Sequence, residues 1–179
     1  MKIYVATENN TKYDEYKRFM KNHELEKISF NVHEIQHHDP RVVVKYKTEF
    51  NFGMLQEPVL CDDIGLYLDG LNNFPGAYIK HVEESSDLEI LYRMLPENAP
   101  KTARIITAIG YQDSDEDTQV VFGELAGTVI ETPRGIGKNG SGFDKVFIPN
   151  GYSKTIAEMS MEEQDLISPR RRAVEKLVI

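Results

Sequence analysis

Pro58-Val59-Leu60-Cys61 is an apolar run that stops at two adjacent carboxylates, Asp62 and Asp63. A short apolar run bounded by polar signals reads as a fully buried strand, so residues 58–62 are expected at the centre of a sheet with charge at one end. Successive side chains on a strand point to opposite faces. Asp62 and Asp63 are therefore expected to meet different neighbours and to do different work. A turn is the competing reading, because Asp-Asp-x-Gly is common where a strand reverses. The dipeptide by itself favours the turn.

The segments around this strand fix the fold class. Lys2–Ala6 reads as a short buried strand rich in β-formers. A polar loop follows, and Thr11-Lys12-Tyr13-Asp14 has the capping-box spacing of a helix start, with the helix running to about Lys21 and placing Tyr13, Tyr16, Phe19 and Met20 on one face. Strand, polar loop and helix in that order present backbone N–H groups to an anion. Residues 28–35 read as a second strand from the alternation of Ile28, Phe30 and Val32, and residues 42–55 as a helix. Leu66 to Asp69 continues extended. A short helical segment is expected at 77–82 and a longer helix at 86–95, ended by Pro96. Residues 103–112 and 118–130 read as paired strands, joined by an acidic tip at 113–117 that is a solvated loop rather than a metal site. The glycine-rich stretch 132–142 is a loop, and 145–149 is extended. Ser160 to Glu163 repeats the capping-box pattern, and Ser168-Pro169 opens a final helix expected to run to the end. No repeat or linker divides the chain. The expectation is one α/β domain over residues 1–179.

Composition narrows the function. Forty per cent hydrophobic residues supply a core and exclude a disordered chain. Lys plus Arg number 21 against 29 Asp plus Glu, for a net charge of −8, which argues against general affinity for nucleic acid. A local basic pocket for a small phosphate remains compatible with that charge. The single cysteine, Cys61, has no internal partner and lies in an apolar run, which suits a buried free thiol in a reducing cytosol. The first apolar stretch is too short for a signal peptide or a membrane span, so no membrane partner is expected.

The remaining polar groups have two readings each. Lys12 stands in the first turn after the N-terminal loop, suited to an anion or to solvent. Arg170, Arg171 and Arg172 stand in the first turn of the last helix, where cations oppose the helix dipole at about 0.3–1 kcal/mol each when exposed. A bound anion and salt bridges to acidic groups explain them equally well. The glycine loop matches neither a Walker A nor a dinucleotide fingerprint. His33 and His37 at i, i+4 lack the context of a metal pair. Together, a carboxylate pair set against polar and basic loops from distant sequence suits a metal-bound polyphosphate.

Several separated segments carry one resemblance. They are Ala6-Thr7-Glu8-Asn9-Asn10-Thr11-Lys12, Asp62-Asp63-Ile64-Gly65-Leu66, Phe74-Pro75-Gly76-Ala77-Tyr78-Ile79-Lys80, Pro133-Arg134-Gly135, Gly142-Phe143-Asp144, Phe147-Ile148-Pro149-Asn150-Gly151-Tyr152, Ala157-Glu158-Met159 and Ile167-Ser168-Pro169-Arg170-Arg171-Arg172-Ala173. In this order, over nearly the whole chain, they resemble the inosine triphosphate pyrophosphatases, or Ham1-like proteins. The resemblance implies an α/β fold with a long central mixed sheet, flanking helices and two lobes around a nucleotide cleft, usually as a homodimer. It implies Mg²⁺-dependent hydrolysis of inosine, xanthosine and deoxyinosine triphosphates to the monophosphate and pyrophosphate, clearing the nucleotide pool. Thr7, Asn9 and Lys12 are then implied to hold phosphates, with Lys47 and Lys80 in the substrate-binding set. Asp63 is implied as the base that activates water, assisted by Lys12 and Lys47. The implied metal ligands are Asp63, Asp62 and Glu34, with Asp39 the alternative to Glu34. Phe143 and Asp144 are implied to meet the base and Arg170 to touch its edge.

The chain also departs from the family's pattern. Ser141 replaces an aromatic, Lys145 a proline, Gln164 a lysine, Pro169 a histidine and Glu8 a glycine. These changes spare the acidic pair and fall mostly on the base pocket. Three other readings therefore accompany the first: a pyrophosphatase with altered base specificity, a nucleotide-binding protein with little turnover, and a structural protein that dimerises through its α/β face.

Overall fold

The computed structural model describes residues 1–30, 34–114, 117–136 and 142–179. The expectations placed on Val32, His33, Asp115, Glu116, residues 137–140 and Ser141 lie outside the described residues. In chain order the regular elements are β1 (Lys2–Ala6), α1 (Asn10–Phe19), β2 (Glu24–Ile28), α2 (Pro40–Leu55), β3 (Val59–Leu68), β4 (Pro75–Gly76), α3 (Ile79–Ser85), α4 (Glu89–Arg93), β5 (Thr102–Gln112), β6 (Gln119–Val129), β7 (Phe147–Pro149), α5 (Met161–Ile167) and α6 (Pro169–Val174). The strands form one mixed sheet in the order β2-β1-β3-β5-β6-β7, with β4 paired to β3. β1 runs parallel to β2 and β3, while β3, β5, β6 and β7 are antiparallel in turn. The α/β class and the long mixed sheet are as expected.

β3 is central and longer than its apolar run. It continues through Asp62 and Asp63 to Leu68 and pairs with β5 along its whole length, from Val59 opposite Gln112 to Leu68 opposite Ala103. The acidic pair is thus inside a strand and not at a reversal, which excludes the turn reading. Alternation then sorts the two faces. Leu60 and Ile109 pack with Tyr16 of α1 and Ala173 of α6, whereas Cys61 and Ala108 pack with Val44 and Phe52 of α2. Asp62 shares the parity of Leu60 and faces α1 and α6. Asp63 shares the parity of Cys61 and faces α2.

Two glycines allow the helices to come this close. A Cβ on Gly110 of β5 would sit 2.1 Å from Thr48 Oγ1 of α2. A Cβ on Gly123 of β6 would sit 2.0 Å from the Pro169 carbonyl oxygen and 2.9 Å from Ala173 N, both backbone atoms of the α6 region. Gly123→Ala is expected to force α6 off the sheet and cost about 1–3 kcal/mol. That lowers the melting temperature by roughly 3–10 °C. Gly53→Ala, in α2 with open space around it, should instead hold or raise it. Equal melting temperatures for the two variants would contradict this account of the α6 contact.

Some elements differ from the sequence reading. Asn9, and not Thr11, caps α1: its Oδ1 accepts from Thr11 N at 2.9 Å and Lys12 N at 3.2 Å. β2 ends at Ile28, where the second strand was expected to begin. It lies at the sheet edge, where charged residues such as Glu24 and Glu26 are tolerated, so alternation is weak there. Residues Gly142–Lys145 form a 3₁₀ turn, and β7 is confined to three residues. α6 stops at Val174 and does not reach the end of the chain. The Ser160 capping box is present as expected, with Glu163 N bonding Ser160 Oγ and Ser160 N bonding the Glu163 carboxylate. Cys61 is a buried free thiol. No helix among the described residues is long and apolar enough to cross a membrane.

Candidate functional site

Two cavities open on either side of the β3 acidic pair and share Asn9, Lys12, Ile64 and Phe143 as a common wall. On the α1/α6 side, Asp62 is 2 % exposed and surrounded by cations. Its Oδ2 accepts from Arg170 Nη2 at 2.9 Å and Nε at 3.2 Å, and lies 3.2 Å from Lys12 Nζ. Arg170, 7 % exposed, also donates through Nη1 to Glu15 Oε2. Burial opposes the charge on Asp62, but Lys12, Arg170 and Lys47 outweigh it and hold the carboxyl well below its usual range. Burial likewise opposes the charge on Arg170, and Asp62 and Glu15 outweigh it. Asp62 therefore stays ionised and anchors Lys12 at the wall between the cavities.

On the α2 side, Asp63 opens into the larger cleft, about 760 Å³ in volume, together with Thr7, Lys47, Glu34, Lys80 and Glu83. Burial raises the Asp63 carboxyl and Asp62 adds to that, while Lys12 and Lys47 pull it back; the balance leaves it pushed up to about 6. One carboxylate of the pair is thus locked in its ionised form and the other is poised near neutrality, as an acid–base group requires. Lys47 Nζ bonds Glu34 Oε1 at 2.6 Å. The cleft is lined by three ammonium groups, Lys12, Lys47 and Lys80, and by four carboxylates, Glu8, Glu34, Asp63 and Glu83, among the described residues.

The capping geometry aims the N-terminal loop. Asn9 turns its carbonyl oxygen toward the α1 backbone, so its amide N–H₂ is left for the cleft. Thr7 Oγ1 accepts from Asn9 N at 3.2 Å and keeps its own proton to donate. Glu8 is drawn toward the segment just after β2, where Ser29 Oγ donates to its carboxylate at 3.0 Å. Lys80 stands exposed at the rim, 4.0 Å from Glu84. Asp39 lines neither cavity: it caps α2 by accepting from Arg41 N and pairs with the Arg41 side chain.

The smaller cavity lies over the α1/α6 face of the sheet. Phe143 is buried in its wall and Asp144 beside it is pushed up to about 7 by burial, with Glu15 and Glu83 adding and Arg170 opposing. The sign of the linkage follows. Below about pH 4 both folded and unfolded chains carry Asp144 protonated, and above about pH 7 the folded chain alone bears the cost of burying its charge. Asp144→Asn is therefore expected to stabilise the protein above pH 7, by up to about 4 kcal/mol, and the gain should vanish toward pH 4. Thermal melts across this range check it, and a gain that grew toward low pH would contradict it.

The structure thus gathers Thr7, Asn9, Lys12, Glu34, Lys47, Asp63, Lys80 and Phe143 around the larger cleft, and Phe143, Asp144 and Arg170 around the smaller one. Asp62 lies between them behind Lys12. Arg171 and Arg172 turn away: Arg171 pairs with Glu175 at 2.9 Å, and Arg172 donates to the Glu124 carbonyl. For the arginine cluster the salt-bridge reading describes the structure. Sequence reasoning missed Glu15 and Glu83. Glu15 lies one helical turn after Lys12, and Glu83 one turn after Lys80, where its carboxylate accepts from Phe143 N at 2.8 Å. The i, i+3 spacing from an assigned lysine was the available signal.

Fold and cleft together define an α/β protein whose central strand buries one carboxylate against Lys12 and Arg170 and opens the next into a cleft lined by lysines. The chain belongs to the Ham1 family, whose family model matches residues 3–179. A dITP/XTP pyrophosphatase of Methanopyrus kandleri is 32% identical over 178 residues, covering 98% of this chain and 94% of that protein. A dITP/XTP pyrophosphatase of Saccharolobus solfataricus is 34% identical over 178 residues, covering 98% and 91%. Among solved structures, the Ham1 protein of Staphylococcus aureus superposes with a TM-score of 0.80 at 25% identity, covering 98% of this chain and 95% of that one.

Proposed function

We propose that this protein is a Mg²⁺-dependent nucleoside triphosphate pyrophosphatase of the non-canonical-nucleotide type, releasing the monophosphate and pyrophosphate. The observation that carries the reading is the divided pair: Asp62 neutralised by Lys12 and Arg170, and Asp63 facing a cleft of lysines with its carboxyl raised toward neutrality. The names of the relatives support the reaction class.

The donor set fits a divalent cation that arrives with a polyphosphate. Four carboxylates against three ammonium groups give the described lining no surplus of positive charge to offset the phosphates. Mg²⁺ is commonly held by one or two carboxylates plus substrate phosphate oxygens, and the cleft supplies such carboxylates. Asp63 and Glu34 are the carboxylates that would hold it, and its chemistry there is to neutralise phosphate charge. The chain's own groups do the rest. Asp63 takes a proton from the water that attacks the α-phosphorus, and pyrophosphate leaves. Lys12, fixed by Asp62, and Lys47, fixed by Glu34, offset the charge that builds on the phosphate oxygens. The N–H₂ of Asn9 and the hydroxyl of Thr7 orient the chain of phosphates. The family resemblance carries with it a homodimer in the cytosol, and buried Cys61 is compatible with that compartment.

Separating pyrophosphate from orthophosphate over a panel of purine and pyrimidine triphosphates, with and without Mg²⁺, tests the reading. Pyrophosphate release that requires Mg²⁺ is expected. Orthophosphate as the product, or no release from any member, would exclude it.

A further inference from the structure

The 3₁₀ turn Gly142–Lys145 carries Phe143, the aromatic in the wall common to both cavities, and Asp144 of the smaller one. Its two ends are held in different ways. At the C-terminal end the main chain does the work: Arg134 N donates to the Lys145 carbonyl at 2.9 Å, and Ile130 N to the Val146 carbonyl at 2.9 Å. At the N-terminal end, the first N–H groups of a helical turn have no partner within the turn itself. A side chain from a distant element takes them. Phe143 N donates to Glu83 Oε1 at 2.8 Å, and Gly142 N also donates to the Glu83 carboxylate.

Glu83 belongs to α3, 60 residues before Phe143. Ile79 and Lys80 lie four and three residues before it, on the same side of the helix, and all three line the larger cleft. Ile79 is buried in the same core cluster as Phe143, so α3 is fixed to the core and Glu83 reaches from it to the turn. The fit is close: a Cβ on Gly142 would sit 3.1 Å from Leu88 Cδ1 and 3.4 Å from Glu83 Oε1. A carboxylate that accepts from backbone N–H groups holds them more strongly than a neutral acceptor does.

We infer that Glu83 is a positioning residue for the nucleotide base: it holds the Phe143–Asp144 turn in place, so that base binding depends on it and phosphate binding does not. This rests on the reading of the larger cleft as the phosphate site, which leaves the smaller cavity, behind the Phe143 wall, for the base. Glu83 shares the cleft with Asp63 and Glu34, but its carboxylate is engaged by the two backbone donors of the turn. Without it those N–H groups lose their acceptor, and the turn is held at one end only. Phe143 and Asp144 then no longer keep one position, and a base loses the aromatic wall against which it packs. Thr7, Lys12 and Lys47 stand on other elements and keep their places for the phosphates.

The test compares two probes by calorimetry: IMP, which carries a base, and inorganic tripolyphosphate, which carries none. Glu83→Leu is expected to weaken IMP by about tenfold or more while tripolyphosphate stays within about twofold. KM for ITP should rise in step, with kcat for pyrophosphate release within about threefold of the wild type. Glu83→Gln keeps one carbonyl oxygen for Phe143 N and should give a smaller loss of the same one-sided kind, which covers a failure of Glu83→Leu to fold. Added to Phe143→Leu, Glu83→Leu should weaken IMP little further, because both changes act on the same wall. Equal losses for the two probes, as a metal ligand or a merely structural residue would give, overturn the inference. So does an IMP affinity that both Glu83 variants leave unchanged, or a wild type that does not bind IMP. A wild type that binds IMP yet releases no pyrophosphate from ITP defeats the activity reading alone, and the two affinities still decide the role of Glu83.

Discussion

Asp63→Asn is expected to lower kcat for pyrophosphate release by about 10²–10⁴-fold, the usual contribution of a positioned general base. The side chain keeps its shape and loses its ability to take a proton. Its neighbour cannot substitute: Asp62 points to the other face of β3 and is held ionised between Lys12 and Arg170. The same change should not weaken the fold. Burial raises the Asp63 carboxyl to about 6, so its ionised form is a destabilising element of the native state above that pH. Removing the charge should hold or raise the melting temperature at pH 8 and change little near pH 4. A folded variant with near wild-type kcat would assign the base elsewhere.

Arg170→Met is expected to be the most damaging single change to stability. It leaves Glu15 without its guanidinium partner and Asp62 with Lys12 alone, 3.2 Å away. Removing one member of a buried ion pair costs about 3–5 kcal/mol, because the partner's charge stays buried. For a chain of this size that lowers the melting temperature by roughly 6–20 °C. Asp62→Asn added to Arg170→Met should recover part of the loss. Arg171→Ala, which removes only an exposed i, i+4 pair, should change stability by about 0.5 kcal/mol or less. An Arg170→Met protein that melts within a degree or two of the wild type would contradict the view of Arg170 as the clamp on Asp62.

These two residues also show what the sequence makes legible. The apolar run before Asp62 reads as a central strand, and alternation separates the two carboxylates if that strand continues through them, although the dipeptide by itself favours a turn. The structure bears out that separation because β3 pairs with β5 without a break. Arg170 was different. Its partners Asp62 and Glu15 lie 108 and 155 residues away in sequence, so an anion site and a salt bridge were equally good readings until the fold brought them together. Local chemistry misled at Thr11, where a plausible capping box lost to Asn9, a residue two positions earlier whose side chain reaches two backbone N–H groups. It misled again at β2, an edge strand whose charged residues hide the alternation. The orientation of Gln164 was equally unreadable, because it is set by the Ile156 and Met159 carbonyls that accept from its amide nitrogen.

The central claim is that water oriented by Asp63 attacks the α-phosphorus of a nucleoside triphosphate. Turnover in ¹⁸O-labelled water, with the products separated and weighed by mass spectrometry, tests it most directly. The label is expected in the nucleoside monophosphate, with unlabelled pyrophosphate beside it. Label in the pyrophosphate, or release of orthophosphate carrying the label, would place the attack at another phosphorus and contradict the account.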